Sequence, residues 1–275
     1  MPYLIPGEFS ERKMKSEPAI WENRLLRPLK AAGLKGLDFI LPPLCFGCSA
    51  HVETQGGLCA QCWSGLKFIT DPMCTACGFP FPHEMPAGVL CAGCSKHLPN
   101  YQKARAALGY DDGSRRLVLA FKHGDKSQGL KTMGKWLHRA GEDLVTEADV
   151  IMPVPLHPIR LRRRKFNQAA LLARALHMET GVPVDLFSLK RVKNTPTQGG
   201  LSRHKRAMNV VGAFRVPSAQ KEAVRGKQIL IIDDVLTTGA TVDNCTRALN
   251  KAGAKGVYVL TLARVVQPLK KKNGK

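Results

Sequence analysis

The 275-residue sequence predicts an α/β fold, a mostly parallel sheet with helices on both faces, preceded by a small cysteine-rich module. Three observations carry this. From Ala104 onward, short apolar runs alternate with segments of helical periodicity. One run, residues 229–232, is four consecutive isoleucine or leucine residues, as in a strand buried on both faces. Eight of the nine cysteines fall between residues 45 and 94.

Taken in order, residues 1–33 read as a disordered or helical extension, 34–100 as the cysteine module, 101–266 as the α/β domain and 267–275 as a basic disordered tail. Leu25, Leu29, Leu34 and Leu37 can share one side of a helix that Pro42 and Pro43 end. The first residues lack the apolar core of a secretory signal, and no apolar run is long enough to span a membrane. The expectation is a cytoplasmic protein.

The cysteines form four Cys-x-x-Cys knuckles: Cys45 and Cys48, Cys59 and Cys62, Cys74 and Cys77, Cys91 and Cys94. That spacing lets both sulfurs of a knuckle face one ion, and two knuckles complete a tetrahedral all-sulfur site, so two structural Zn2+ ions are expected. Sequential pairing gives two small ribbons, each closing a short loop; spacing alone does not exclude interleaved pairing, first with third and second with fourth. Disulfides or redox pairs fit a cytosolic chain poorly. Gly47, Gly78 and Gly93 stand where tight turns would need a positive φ. Between residues 45 and 98 the only basic side chains are Lys67 and Lys96. Eight thiolates around two zinc ions add a net charge of about −4. The module alone is therefore not expected to grip a phosphate backbone, and Phe46, Trp63, Phe68, Phe79 and Phe81 are expected to dock on the next domain or a partner.

In the second part the pattern predicts strands over 106–110, 149–154, 229–232 and 256–263, with short strands over 189–192 and 213–216. Helices are expected over 115–121, along Leu130, Met133, Leu137, Ala140 and Leu144, along Phe166, Ala169, Ala173 and Leu176, and over 242–249 with Val242, Cys245, Ala248 and Leu249 on one face. Cys245 is then a core residue. The formal charge is +21, and 33 basic against 13 acidic side chains fall after residue 100, which favours a phosphate-rich ligand and some affinity for nucleic acid.

The stretch after residue 232 reads Asp233-Asp234-Val-Leu-Thr237-Thr238-Gly239-Ala240-Thr241. Threonine hydroxyls, a glycine that lets backbone approach and a helix N-terminus behind it make a phosphate cradle. Carboxylates there would repel phosphate; as acceptor-only groups they suit a vicinal diol, and phosphate plus diol describes a ribose 5-phosphate. A second loop, residues 153–157, ends at the same sheet edge, where the amides of Val154, Leu156 and His157 could donate to an anion. Five basic residues in six follow (160–165), with Arg162 a candidate to reach a diphosphate. Residues 195–214 are polar and glycine-containing, as a lid between two strands would be.

The 229–241 stretch resembles the 5-phosphoribosyl-1-pyrophosphate (PRPP) motif of type I phosphoribosyltransferases. The resemblance implies that fold. It also implies that Asp233 and Asp234 hold the ribose hydroxyls, that residues 237–241 hold the 5′-phosphate, that the 153–157 loop holds pyrophosphate, and that Mg2+ accompanies the donor. The order of the proline loop, the arginine-rich run, Phe166-Asn167-Gln168, then Thr195, Gln198, Leu201, Arg206, Asn209, Gly212, Ala213 and Phe214 is similar to the ComF family. That resemblance covers residues 34–266. It implies a zinc module joined to a phosphoribosyltransferase domain, a link to DNA uptake, and single-stranded DNA or DNA-processing proteins as partners. Its members' phosphoribosyl acceptor is poorly defined. The rival expectation on the same scaffold is a PRPP sensor or single-strand binder without turnover.

Overall fold

In the computed structural model the described residues are 42–123, 127–195 and 211–266. The expected N-terminal helix, basic tail and most of the expected lid lie outside them. From Pro43 onward the chain forms one compact unit. It contains α1 (Ala60–Ser64), α2 (Ala92–Lys96), β1 (Lys103–Gly109), α3 (Asp112–His123), α4 (Leu130–Ala140), α5 (Glu142–Glu147) and β2 (Val150–Pro153). There follow α6 (Pro158–Arg164), α7 (Gln168–Thr180), β3 (Lys190–Arg191), β4 (Phe214–Arg215), β5 (Gln228–Leu236), α8 (Ala240–Lys251) and β6 (Gly256–Arg264).

The main sheet has the order β1-β6-β5-β2 and every pairing in it is parallel. β5 is interior, with Ile231 opposite Val259 on one side and Met152 on the other. Ile229 to Ile232 are fully buried, as a doubly covered strand requires. Leu230 and Ile232 join a core with Leu117, Phe121, Met133, Leu137, Leu172 and Leu176, from α3, α4 and α7. Ile229 and Ile231 join a second core with Val242, Cys245 and Leu249 of α8 and with Phe214. β3 and β4 pair antiparallel as a separate ribbon.

Both edges of the sheet are covered. Ile69 N donates to Ala107 O at 3.0 Å and Gly109 N to Lys67 O at 2.8 Å, so the segment between the cysteine knuckles pairs along β1. At the other edge Ile151 N donates to Pro183 O at 2.8 Å and Asp185 N to Ile151 O at 2.9 Å. Unpaired edges invite association with other chains, and this pairing blunts them. The cysteine module also docks through rings. Trp136 of α4 meets Phe68 edge-on at 5.4 Å, Phe46 at 6.0 Å and Trp63 at 6.2 Å. Each such pair contributes about 0.5–1.5 kcal/mol beyond area burial. The neighbouring Lys67–Asp111 ion pair, with its lysine 81% exposed, contributes at most about 1 kcal/mol. Around the first centre, ring packing contributes more than this ion pair.

Several elements differ in their bounds from the pattern read in the sequence, among them β1, which begins at Lys103, and α3, which spans Asp112–His123; three differences have a structural setting of note. The helix expected through Leu144 breaks at Gly141, which leaves helical backbone angles (φ −125°, ψ 27°) and packs against the methyls of Leu260, where a Cβ would stand 2.8 Å away. β5 runs four residues further than the apolar run, because backbone pairing to β6 continues past the two acids to Leu236. α8 begins at Ala240 rather than 242, which leaves only residues 237–239 as the turn.

Gly113 at the start of α3 touches the module's backbone: a Cβ there would lie 1.9 Å from Gly65 O. Gly113→Ala is expected to cost about 1–3 kcal/mol and to lower the thermal midpoint by several degrees. Gly88→Ala, at φ 86° but with open space around it, should lower it less. Equal losses in thermal denaturation would contradict this docking.

Candidate functional site

The knuckles pair sequentially. The sulfurs of Cys45, Cys48, Cys59 and Cys62 lie within 4.8 Å of one another, and so do those of Cys74, Cys77, Cys91 and Cys94. Each centre is built alike. Its first knuckle is a tight turn, with Ser49 N donating to Cys45 O and Gly78 N to Cys74 O, both at 2.8 Å. The residue after the second cysteine, Ser49 or Gly78, takes φ 65°. Its second knuckle opens a one-turn helix, with Cys59 or Cys91 at the N-cap. The positive φ expected at Gly47 and Gly93 is therefore not found; the left-handed position falls one residue after the knuckle. Gly47 is small for another reason, since a Cβ there would stand 3.0 Å from Cys62 Sγ.

The sulfurs fit a zinc ion. Four ligands about 2.3 Å from one ion stand roughly 3.8 Å apart, and Cys48–Cys59 and Cys77–Cys91 are each 3.6 Å apart. Burial opposes ionisation of Cys45, but the amides of Cys59, Cys48 and Gly47 outweigh it and bring the thiol down to about 6. Cys74 falls to about 7 in the same way, through the amides of Cys77, Cys91 and Ala76. Burial, then the neighbouring sulfurs, push Cys62 and Cys94 well above the ordinary thiol range. Thiols so crowded ionise together only around a cation.

At the carboxyl edge of the sheet, Asp233 and Asp234 lie within β5, half-buried, rather than after it. Side chains alternate between the two cores up to Ile232; beyond the acids Val235 packs with the core of Leu230 and Ile232, and Leu236 with the other. The alternation thus changes phase at the acid pair, where Asp234 N donates to Asp233 Oδ1 at 2.9 Å. Asp233 lies near Cys245 and Arg191. The charge of Asp233, after burial, raises the Cys245 thiol, and it partly offsets the lowering of Arg191 by burial and by Arg160. The turn then passes Thr237 and Thr238 to Gly239, whose φ of 79° starts α8. An L side chain is strained there, so glycine suits it. Asp243 N donates to Gly239 O at 2.9 Å, closing the first turn, and Thr241 sits in that turn.

In the second loop, Val154 N donates to Ile232 O at 2.9 Å, and Val154 O accepts from Asn167 Nδ2 at 3.0 Å. The amide of Val154 thus extends the sheet ladder and is not available to an anion, contrary to the expectation. Leu156 and His157 lie beyond the ladder, half-buried. His157 caps α6, its Nδ1 accepting from Ile159 N at 3.4 Å. The arginine run is that helix. Arg162 is exposed on it, whereas Arg160 turns inward and donates to Thr195 O. Arg191, 7% exposed, donates to Thr195 Oγ1 at 2.6 Å and lies over the Phe214 ring. The sequence did not single out Arg160 or Arg191: one was hidden among five basic neighbours, the other in a two-residue strand. A separate cavity of about 580 Å³ lies between Phe68, Met73, Trp136 and Asp143 and shares no residue with the turn.

A parallel sheet with this hydroxyl-lined turn, behind two four-cysteine centres, defines a protein of the type I phosphoribosyltransferase fold with a zinc-ribbon module. A family model described as a double zinc ribbon domain matches residues 36–95, and one described as a phosphoribosyl transferase domain matches 167–275. Competence protein F of Haemophilus influenzae is 30% identical over 226 residues, covering 80% of this chain and 96% of that protein. DNA utilization protein YhgH of Salmonella typhimurium is 30% identical over 234 residues, covering 82% and 99%. The chain belongs to the ComF family. Among solved structures, orotate phosphoribosyltransferase from Aeropyrum pernix covers 58% of this chain and 68% of its own at 17% identity; its TM-score of 0.32 is too low to carry an argument. Among the described residues no helix is long and apolar enough to cross a membrane.

Cys45→Ser is expected to reduce zinc from two equivalents to one and to loosen the packing of Phe46 on Trp136. Metal analysis by mass spectrometry checks this; full zinc content would contradict the ligand set.

Proposed function

We propose that this chain binds PRPP with Mg2+ at the turn after β5 and transfers its phosphoribosyl group to a nucleophilic acceptor, releasing pyrophosphate. The observation that carries the reading is the turn itself. Gly239 in the left-handed region, hydroxyls at Thr237, Thr238 and Thr241, and the N-terminus of α8 from Ala240 onward converge at the end of an interior strand. These groups would hold the 5′-phosphate. Asp233 and Asp234 would hold the ribose hydroxyls and stabilise positive charge developing at the anomeric carbon. The amides of Leu156 and His157 would face the pyrophosphate, with Arg160 or Arg162 from α6. Mg2+ would come with the diphosphate and neutralise its charge; the carboxylates at this strand end are the hard oxygen donors it prefers. The chain's own contribution is position and charge, since displacement at the anomeric carbon needs alignment more than covalent help from the protein.

The names of the relatives support a role in competence or DNA utilization, which we place in the cytoplasm. A second reading has one specific observation behind it. Arg162, Arg163 and Arg164 stand exposed together on α6, and that is a surface for a polyanion such as single-stranded DNA. In that reading PRPP is sensed and not consumed. Pyrophosphate release from PRPP in the presence of nucleophilic acceptors, set beside salt-dependent binding of a single-stranded oligonucleotide, separates the two. Release supports transfer; binding of both ligands without release supports the sensor.

Asp233→Ala combined with Asp234→Ala removes both proposed diol partners. PRPP affinity measured by calorimetry is expected to fall about 100-fold or more, with zinc content retained. Unchanged affinity would refute the diol assignment.

A further inference from the structure

We propose that the second zinc centre, and not the first, is the mount of the β5–α8 turn, with Asn100, Tyr101 and Arg264 as the positioning residues between them. The idea rests on the functional reading above for its ligand but on contacts alone for its mechanics.

Two contacts from the segment after this centre reach the turn, and two more tie the centre to the strands beside it. Six residues after Cys94, Asn100 donates to Asp243 from its backbone N at 2.7 Å and from Nδ2 at 2.8 and 2.9 Å. Asp243 lies in the first turn of α8, just behind Gly239, and also pairs with Arg247 at 3.3 Å. Tyr101 is 6% exposed, and its hydroxyl lies 3.6 Å from where a Cβ on Gly239 would stand. Arg264 ends β6 opposite Leu236, the residue before Thr237. Its guanidinium is buried, donates to Cys77 O and lies 5.3 Å over the Phe79 ring. A zinc tetrathiolate carries a net charge of about −2, and Arg264 is a cation beside it. Finally, the knuckle turn is locked to β1. Ala104 N donates to Ala76 O at 2.7 Å, and a Cβ on Gly78 would lie 2.4 Å from Ala104 O.

The first centre has different neighbours. Phe46, Trp63 and Phe68 lean on Trp136, Gly56 O accepts from Thr132 at 2.9 Å, and Gly65 meets Gly113. These contacts go to α3 and α4, behind the sheet from α8. The family resemblance gives both zinc ions one structural role; the contacts divide that role between them.

The test is amide hydrogen exchange of residues 237–243 in the full chain, read together with zinc content and PRPP–Mg2+ affinity. Cys91→Ser is expected to lose one zinc, to speed exchange at the turn about tenfold and to weaken PRPP by a similar factor. Cys48→Ser is expected to lose the other zinc and to speed exchange around Phe46 and Trp63 far more than at the turn. Tyr101→Phe and Arg264→Gln should keep both zinc ions and still loosen the turn. Should Cys91→Ser fail to fold, Asn100→Ala at full zinc content decides the matter by the same exchange measurement. Turn protection that is unchanged in Cys91→Ser or Asn100→Ala, or that falls equally with either centre, overturns the mount. Absence of PRPP binding by the unaltered protein would overturn the ligand reading instead, and leave the exchange result to judge the mount.

Discussion

Strand β5 is hydrogen-bonded on both sides, and that single constraint places the candidate site. An interior parallel strand cannot shift by one residue without sending Ile229 and Ile231 into the core built for Leu230 and Ile232, and the reverse. Its end is therefore set in space to within the tolerance of a packed core. The change of phase at Asp233 and Asp234 occurs at the first positions where burial no longer dictates which way a side chain points. Pairing to β6 keeps one register across this point, with Asp233 opposite Thr261 and Val235 and Leu236 opposite Ala263 and Arg264.

The zinc module is part of this sheet rather than an appendage to it. The segment between its two centres hydrogen-bonds along β1, and the aromatic rings of the first centre close over Trp136. A segment of so few residues cannot bury enough apolar surface to fold alone. The metal supplies the missing stabilisation, and the docked rings transfer that order to the larger core. The same arrangement hides an edge that a four-stranded parallel sheet would otherwise expose.

Two buried arginines make the carboxyl edge electrostatically unusual. Arg191 and Arg264 each lie over an aromatic ring at 5.3 Å, and each has a buried Nε without a hydrogen-bond partner. A guanidinium away from water is costly unless negative charge is near. For Arg264 that charge is the tetrathiolate centre; for Arg191 it is Asp233, set against the repulsion of Arg160. The basic excess of the second half is thus of two kinds. Most of it faces solvent, as on α6, while a small part lies inside and holds the edge together.

Much of this was legible in the chain alone. Four consecutive apolar residues followed by paired acids, threonines and glycine declare an interior strand that ends in a tight turn before a helix, because burial and backbone freedom each restrict the residue types allowed. Cys-x-x-Cys spacing likewise declares metal knuckles, since two intervening residues bring the sulfurs to one ion. Local chemistry could not say which knuckles share an ion, that Val154 spends its amide on the sheet, or that Arg160 rather than Arg162 turns inward. Those are decided by partners far away in sequence: Ile232 for the amide, Thr195 for the arginine, Phe79 and Cys77 for the unsuspected Arg264. Sequence pattern records what each segment must do with its own backbone and apolar face; which distant segment answers it is set only when the chain packs.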